Sequence, residues 1–304
     1  MTAVIETPEM AVDLVAFDSM GARSMCTYIE TKDVRITIDP AVALAEKRFN
    51  LGPHAKEVER RGQLAERVKR RAMESDVIIV THYHYDHHDP GDTVPLDIYG
   101  GKTVLIKDPK NRINSSQGNY RAPLFLAMIK GRAKQIEVAD GRRFSFGGTE
   151  IEFSDAVCHG PNSAMGYVIQ TMVRRGDEKV VHTSDVQGPS RQDQAEFILR
   201  NRPNTAIIDG PMTYMLGYAY SQEDLEASLS NIRAILAGGT KNVVLDHHFA
   251  RDLTFEKYLN ELREDYRDAK IGTAAELMGM EDDLLEARRR ELHKGGRVGA
   301  RAHQ

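Results

Sequence analysis

The sequence predicts a layered α/β sandwich that forms one domain. Three short β-like runs lie within residues 11–40, and strand-like runs then mix with helical patterns through the rest of the chain. The 304 residues are enough for one large core, and no repeat or low-complexity linker divides them. We therefore expect a single domain over residues 1–304, in which residues 254–304 form a helical C-terminal extension that ends in a basic tail.

The expected strands are short runs rich in apolar and β-branched residues, with turn signals beside them. They are residues 12–17, 25–30, 34–38, 77–80, 104–106, 135–138, 150–153, 166–172, 179–182, 205–208 and 242–245. The expected helices show helical periodicity, and several begin at a capping residue. They are residues 54–74, 122–130, 221–236, 254–267 and 273–292. Residues 111–118 are expected to form a loop.

The clearest chemical signal follows the expected strand at residues 77–80. His82, His84, Asp86 and His87 come directly after it. Imidazole nitrogen and carboxylate oxygen are donors that divalent transition metals accept. Alternation along an extended strand end points His82 and His84 to the same side, so that Asp86 and His87 can face a second ion. The segment therefore predicts a site for two metal ions.

Further candidate ligands lie where other apolar runs give way to turns. They are His159, Asp185, Asp209, Asp246, His247 and His248. Strand ends at one edge of a sandwich form a rigid platform on which residues distant in sequence can meet. Each candidate alone has an ordinary structural explanation, but together they supply the ligands that the first segment lacks. Asp209 and Asp246 can orient a ligand histidine, serve as alternative ligands or be ordinary turn residues.

These residues, in this order, resemble the pattern of the metallo-β-lactamase superfamily. The matching positions are Thr81, His82, His84, Asp86, His87, His159, Asp185 and His247, and Asp39 resembles that family's early structural aspartate. The resemblance covers roughly residues 11–250. It implies a four-layer αββα sandwich with metal ions in a groove at the strand ends.

The resemblance also implies which residues hold each ion. The first ion would be held by His82, His84 and His159, the second by Asp86, His87 and His247, and Asp185 would bridge them. Asp86 and Asp185 would be the catalytic residues. More narrowly, residues 18–24, 39–44, 246–252 and 273–292 resemble an uncharacterised archaeal branch of the superfamily, whose members have no assigned substrate.

Some positions near the motif remain open. His247 and His248 compete for the last ligand position, and we favour His247 because its spacing to Arg251 resembles the His-Phe-Ser-x-Arg pattern of nuclease members. His88 stands near the position where the family usually has a glycine, and we expect it to face solvent. The tyrosines that alternate with the ligands, Tyr83 and Tyr85, are expected in packing.

The implied ligand set predicts a hydrolase. Two divalent ions about 3.5–4 Å apart can share a bridging hydroxide, and metal binding lowers the pKa of water toward about 7. The charges of two divalent ions, two carboxylates (Asp86 and Asp185) and one hydroxide sum to about plus one. This charge suits a phosphodiester or a polarised carbonyl. We expect a phosphodiester of a nucleic acid or nucleotide. The alternatives are a hydrolase of a thioester, ester or lactone and a non-catalytic metal-binding module. Zinc is the expected metal, with iron or manganese possible.

Composition limits the partners. The net charge of −4 provides no global basic field for nucleic acid. The tail between Arg288 and Arg301 is locally basic, and we expect a solvated terminus rather than a phosphate-contacting arm. The N-terminal residues indicate neither a signal peptide nor a membrane span, and Cys26 and Cys158 are too few for a disulfide framework. We expect a cytoplasmic protein with a small-molecule or nucleic-acid substrate and no membrane partner.

Overall fold

The computed structural model describes residues 5–300, in which the first sheet has seven strands in chain order. They are β1 (Ile5–Glu6), β2 (Met10–Phe17), β3 (Met25–Thr31), β4 (Arg35–Ile38), β5 (Val77–Val80), β6 (Thr103–Ile106) and β7 (Gln135–Val138). The pairs from β1 to β4 are antiparallel, and those from β4 to β7 are parallel. All four residues of β5 are buried, as expected for a parallel strand in the middle of a covered sheet.

The second sheet comes from the later part of the chain. The strands that follow β7 are β8 (Arg143–Phe146), β9 (Thr149–Phe153), β10 (Val157–Cys158), β11 (Tyr167–Val168), β12 (Thr171–Arg175), β13 (Glu178–His182), β14 (Thr205–Ile208), β15 (Asn242–Leu245) and β16 (Lys270–Gly272). Strands β10 and β11 form a separate antiparallel ribbon, and the others make a sheet in the order β16-β15-β14-β13-β12-β9-β8. Its strands β13 to β16 are parallel.

Helices cover the outer faces of the two sheets. The helix α1 (Ala55–Glu74) packs on β2, β3 and β4. The helix α2 (Ala122–Ile129) continues a π-helical turn at Gln117–Arg121. The later helices are α3 (Gln192–Asn201), α4 (Gln222–Ala237), α5 (Glu256–Asp265), α6 (Ala274–Leu277) and α7 (Arg289–Ala300). Apolar residues of α3, α4 and α5 share a core with the outer face of the second sheet.

Strand alternation divides the apolar residues between two cores. In β14, Ile207 belongs to the core between the sheets, while Ala206 and Ile208 belong to the core beneath the helices. In β15, Val244 faces the first core and its two apolar neighbours face the second. Two sheets packed face to face with helices outside make four layers, so the expected αββα sandwich is confirmed.

The structure differs from the sequence-based expectations in several elements. Strands β1, β8, β10 and β16 and helix α3 were not expected. The strand expected at 166–172 is divided, because the Ile169 amide donates to the Thr81 carbonyl and the Gln170 amide to the Ser154 hydroxyl. The helix expected at 273–292 ends at Leu277, near Gly279, which has a left-handed backbone with φ of 69°.

The C-terminal segment is not an appendage of helices alone. Strand β16 pairs with β15 at the edge of the second sheet. The basic tail was expected to be solvated, but Arg289 is fully buried and donates to both carboxylate oxygens of Glu57 and to the carbonyl oxygens of Ala45 and Leu51. Arg301 lies outside the described residues, and the single-domain boundary remains a prediction. Within residues 5–300, no helix is both long and apolar enough to cross a membrane.

We predict that Arg289→Leu strongly destabilises the protein, because it leaves the buried Glu57 carboxylate without its partner. Removing one member of a buried ion pair costs about 3–5 kcal/mol in the free energy of unfolding. Arg288→Leu is the matched control, because Arg288 is exposed and pairs with the exposed Glu291, so a change within about 0.5 kcal/mol is expected. Equilibrium unfolding in guanidinium measures both, and equal midpoints for the two variants would contradict the structural role of Arg289.

Candidate metal centre

The candidate ligands lie where the carboxyl ends of parallel strands from both sheets meet. The turn after β5 and the turn after β13 face each other, and they are joined by a hydrogen bond of 2.6 Å between the hydroxyls of Thr81 and Ser184. The Asp39 carboxylate, just after β4, accepts from the Thr81 amide at 2.8 Å and from its hydroxyl at 2.6 Å. These bonds fix the start of the histidine-rich turn relative to both sheets.

Asp185 is the centre of the cluster. Its carboxylate is buried, and the Nε2 atoms of five histidines point toward it. The distances from Nε2 to the nearer carboxylate oxygen are 2.9 Å for His87, 3.1 Å for His159, 3.2 Å for His247, 3.7 Å for His82 and 3.9 Å for His248. A single carboxylate shared by this many imidazoles is suited to bridging two cations.

The donor atoms fall into three groups, two of which contain the residues of the expected ligand sets, while the third includes His248. One group consists of His82, His84, His159 and Asp185, a second of Asp86, His87 and His247, and a third of Asp185, His247 and His248. Within each group all the donor atoms lie within 4.8 Å of one another. The residues present can therefore hold metal ions, and nitrogen and oxygen donors of this kind fit zinc, iron or manganese.

Several of these donor atoms are buried without a hydrogen-bond partner. They are Nε2 of His82, His87 and His159 and Oδ1 of Asp185. The 2.9 Å contact between His87 Nε2 and Asp185 Oδ1 is close but too poorly aligned for a hydrogen bond. Buried polar atoms in proteins are almost always paired. Several unpaired atoms that surround one point fit a site for cations.

Three carboxylates contact histidine rings at Nδ1, on the side of the ring away from the cluster. The Nδ1 atoms lie 2.7 Å from Asp39 for His87 and 2.7 Å from Asp18 for His247. The third pair joins His248 Nδ1 to an Asp209 oxygen at 2.9 Å. With the Nδ1 proton donated to a carboxylate, Nε2 keeps a lone pair toward the cluster, although His247 Nε2 also lies 3.1 Å from an Arg251 nitrogen. This tautomer is the one that a metal ligand needs.

The backbone at the site is also unusual. Asp39, Ser184 and His247 have φ values of 53°, 57° and 45°, in the left-handed region that residues other than glycine seldom adopt. Such conformations cost about 1–3 kcal/mol each and tend to occur at functional sites. Of the three, His247 faces Asp185, while Asp39 contacts the His87 ring and Ser184 contacts Thr81.

The two adjacent histidines, His247 and His248, have different surroundings. His247 Nε2 approaches Asp86 at 3.7 Å as well as Asp185, while His248 also lines the neighbouring cavity. Asp209, one of the two aspartates that could orient a ligand histidine, contacts the His248 ring. The other candidate, Asp246, does not contact an imidazole: its oxygens accept the backbone amides of Ser19, His247 and Ala274.

Electrostatics inside the cluster follow from burial and close charges. Burial raises the pKa of the Asp185 carboxyl, but the surrounding imidazoles, first among them His87, outweigh it and hold that pKa well below the usual range. Burial lowers the pKa of His247, but Asp185 and Asp18 outweigh burial and raise it to about 10. Burial, reinforced by His159, lowers the pKa of His84 to about 3. Protons and metal ions compete for such donors.

Sequence analysis missed several side chains that contact the ligands, and Ser184 and Gln187 lie 3.3 Å and 3.5 Å from Nδ1 of His82 and His159. Two others are Asp18 and Gln117. Asp18, which holds His247, also accepts from Arg251 Nε at 2.8 Å. Gln117 accepts from the Tyr83 amide, and its Nε2 lies 3.2 Å from His84 Nε2. Asp18 follows the apolar run of β2, which is the signal used for the other candidates. Gln117 lies in the segment expected to be a loop and carries no local signal.

The expectation that His88 faces solvent was wrong, and the expectation that Tyr85 lies in packing holds only in part. His88 is buried rather than solvent-facing: its Nδ1 lies 3.0 Å from the His84 carbonyl, and its ring packs against Tyr83 and Phe125. Tyr83 is fully buried, as expected. Tyr85 is only half-buried and lines the cavity.

A cavity of about 590 Å³ opens beside the cluster. His84, Asp86, Asp185 and His248 contribute to its wall, so these residues are accessible to a bound molecule. Pockets of about 300–1,000 Å³ are typical of small-molecule sites. Carboxylates therefore contact histidine rings on the buried side of the ligand cluster, and the other side of the cluster is open to the cavity.

Comparisons with known proteins agree with this architecture. No protein-family model matches the chain. A UPF0282 protein of Sulfurisphaera tokodaii is 47% identical over 287 residues, which cover 94% of this chain and 93% of that protein. A UPF0282 protein of Metallosphaera sedula is 47% identical over 285 residues, which cover 93% and 92%.

The metallo-β-lactamase fold protein YhfI of Bacillus subtilis is similar in structure, with a TM-score of 0.52 and 17% sequence identity, over 87% of this chain and 95% of YhfI. At this identity the similarity concerns the fold alone. The predicted metallo-β-lactamase fold and the resemblance to an archaeal branch are confirmed. The chain has the metallo-β-lactamase fold and, at 47% identity over nearly its full length, belongs to the UPF0282 family.

Proposed function

We propose that the protein is a metal-dependent hydrolase that holds two divalent ions, zinc being the best fit to the donors. The observation that carries this proposal is the buried Asp185 carboxylate, approached by five imidazole Nε2 atoms, several of which have no hydrogen-bond partner. The proposed ligands of one ion are His82, His84 and His159, those of the other are Asp86, His87 and His247, and Asp185 is shared.

The chain's own residues would position these donors and shape the reaction site. Two divalent ions, when bound, would polarise the substrate and lower the pKa of water toward about 7. Asp39 and Asp18 keep the rings of His87 and His247 in the metal-binding tautomer. Asp86 and Asp185 line the cavity, where a bound substrate would lie.

The substrate is proposed to be a phosphodiester of a nucleotide or nucleic acid. Two ions with Asp86, Asp185 and one hydroxide would leave a small positive charge, which favours an anionic group whose attacking and leaving oxygens both need stabilisation. The second candidate is a thioester, ester or lactone. Apolar residues of the cavity wall, Leu44, Met212 and Met215, favour this candidate because they suit a substrate with a hydrocarbon portion.

An assay with chromogenic substrates separates these candidates. The zinc-loaded and manganese-loaded protein is incubated with bis-(p-nitrophenyl) phosphate and, separately, with p-nitrophenyl butyrate and a thioester. Faster turnover of the phosphodiester supports the first proposal, and turnover of only the carbonyl compounds supports the second. No turnover of any of them, by protein with two bound ions per chain, would favour a non-catalytic metal-binding module.

The Asp185→Asn variant is predicted to lose bound metal, and its turnover is predicted to fall at least about 100-fold. The amide removes the negative charge that both ions would share, while the side chain keeps nearly the same shape. Asp177→Asn, in the exposed turn between β12 and β13, is the matched control and should retain both. Elemental analysis and the same assay measure the outcome. Full metal content with undiminished turnover in Asp185→Asn would contradict the bridging role.

His247→Ala and His248→Ala are predicted to differ in metal content. His247 lies near both Asp86 and Asp185, so its loss should lower the content from about two ions to about one per chain. The Nε2 atom of His248 lies 3.9 Å from Asp185 and its Nδ1 contacts Asp209, so the loss of this ring should leave the metal content unchanged. The opposite pattern would assign the last ligand position to His248.

A further inference from the structure

The cavity beside the ligand cluster has two kinds of wall. The candidate ligands form one part, while Leu44, Met165, Met212 and Met215 contribute apolar surface elsewhere. Methionine side chains are flexible and adapt to ligands of varied shape. A volume of about 590 Å³ suits a small molecule rather than a long polymer strand.

Three arginines line this cavity, and two of them are already paired. The Arg23 guanidinium donates to both carboxylate oxygens of Glu286, at 2.6 and 2.7 Å. Arg251 donates to Asp18 at 2.8 Å. Arg121 donates from Nη1 to the Tyr83 carbonyl oxygen at 3.5 Å, but within residues 5–300 it forms no ion pair with a carboxylate, so its positive charge is not neutralised there.

The position of Arg121 brings this charge close to the proposed reaction site. Arg121 ends the π-helical turn before α2, and its guanidinium lies 4.6 Å from the ring centroid of Tyr85. Tyr85 stands in the chain between the proposed ligands His84 and Asp86. Stacking on an aromatic ring holds a guanidinium in place and leaves its edge N–H groups free to donate.

The other uncommitted charge on the cavity wall is Glu46. Its side chain is exposed and lies more than 4.0 Å from the Arg121 nitrogens, since the two form no ion pair among the described residues. It does not neutralise Arg121 and does not belong to the ligand cluster. Glu46 is therefore a suitable control for general electrostatic effects in the cavity.

We propose that Arg121 binds a second anionic group of the substrate, away from the bond that is cleaved. The substrate class is then a small molecule with a carboxylate or phosphate at Arg121, an apolar portion on the methionine wall and its scissile group at the ligand cluster. This class rests on the proposed hydrolase function. Planar pairing of a guanidinium with an oxyanion supplies both the attraction and the orientation.

Dye binding tests the anion site separately from catalysis. Metal-loaded protein is titrated with 8-anilino-1-naphthalenesulfonate and with N-phenyl-1-naphthylamine, which has the same rings without the sulfonate. Arg121→Met should weaken binding of the sulfonate about tenfold, because one charge-assisted hydrogen-bonding partner is lost. It should leave binding of the neutral dye unchanged, because the apolar wall is intact. Arg121→Lys should recover part of the affinity, and Glu46→Gln should not weaken it.

The outcomes separate the anion site from the hydrolase proposal. If Arg121→Met binds both dyes like the wild type, the anion site is wrong even where turnover is observed. If the sulfonate effect is present but no substrate is hydrolysed, only the hydrolase proposal fails. Displacement of the sulfonate dye by inorganic phosphate but not acetate indicates a phosphate at Arg121, and the reverse indicates a carboxylate. Displacement by neither, at concentrations up to tens of millimolar, would contradict the proposal.

Discussion

The arrangement of the site depends on one buried carboxylate, Asp185, placed at the junction of the two sheets. A buried charge is costly unless it is paired, and here the compensation comes from imidazoles whose outer nitrogens are held by other carboxylates. Thr81 and Ser184 join the two sheets directly behind this cluster. The sandwich brings the strand ends together, and carboxylate partners then determine which nitrogen of the His87, His247 and His248 rings faces inward.

The position of the ligands at strand ends explains why so much of the site was predictable from the sequence. Short apolar, β-branched runs identify strands, and the residues after them fall at one edge when the strands are parallel. His82 and Asp185 follow β5 and β13, which have parallel partners, and His159 follows the antiparallel β10, yet all three meet in the structure. The helix at residues 54–74 was predictable because its apolar positions have helical spacing and its start is capped.

What was missed depends on contacts between distant segments. Asp18 and Asp246 look alike in sequence, each ending an apolar run, yet only Asp18 contacts the His247 ring, and Asp246 binds backbone amides. His88 is buried because Phe125, nearly forty residues later, covers it. Strand β16 has three residues, too few for a periodic signal, and exists because β15 offers it an open edge.

The most direct test of this account is the metal content of the purified wild-type protein, measured by elemental analysis after reconstitution at neutral pH. The two proposed ligand sets, one with His82, His84 and His159 and the other with Asp86, His87 and His247, predict about two divalent ions per chain. One ion per chain would contradict the proposal that two ions share the Asp185 carboxylate. Little or no bound metal would contradict the account as a whole, because the unpaired buried nitrogens would then have no cation to bind.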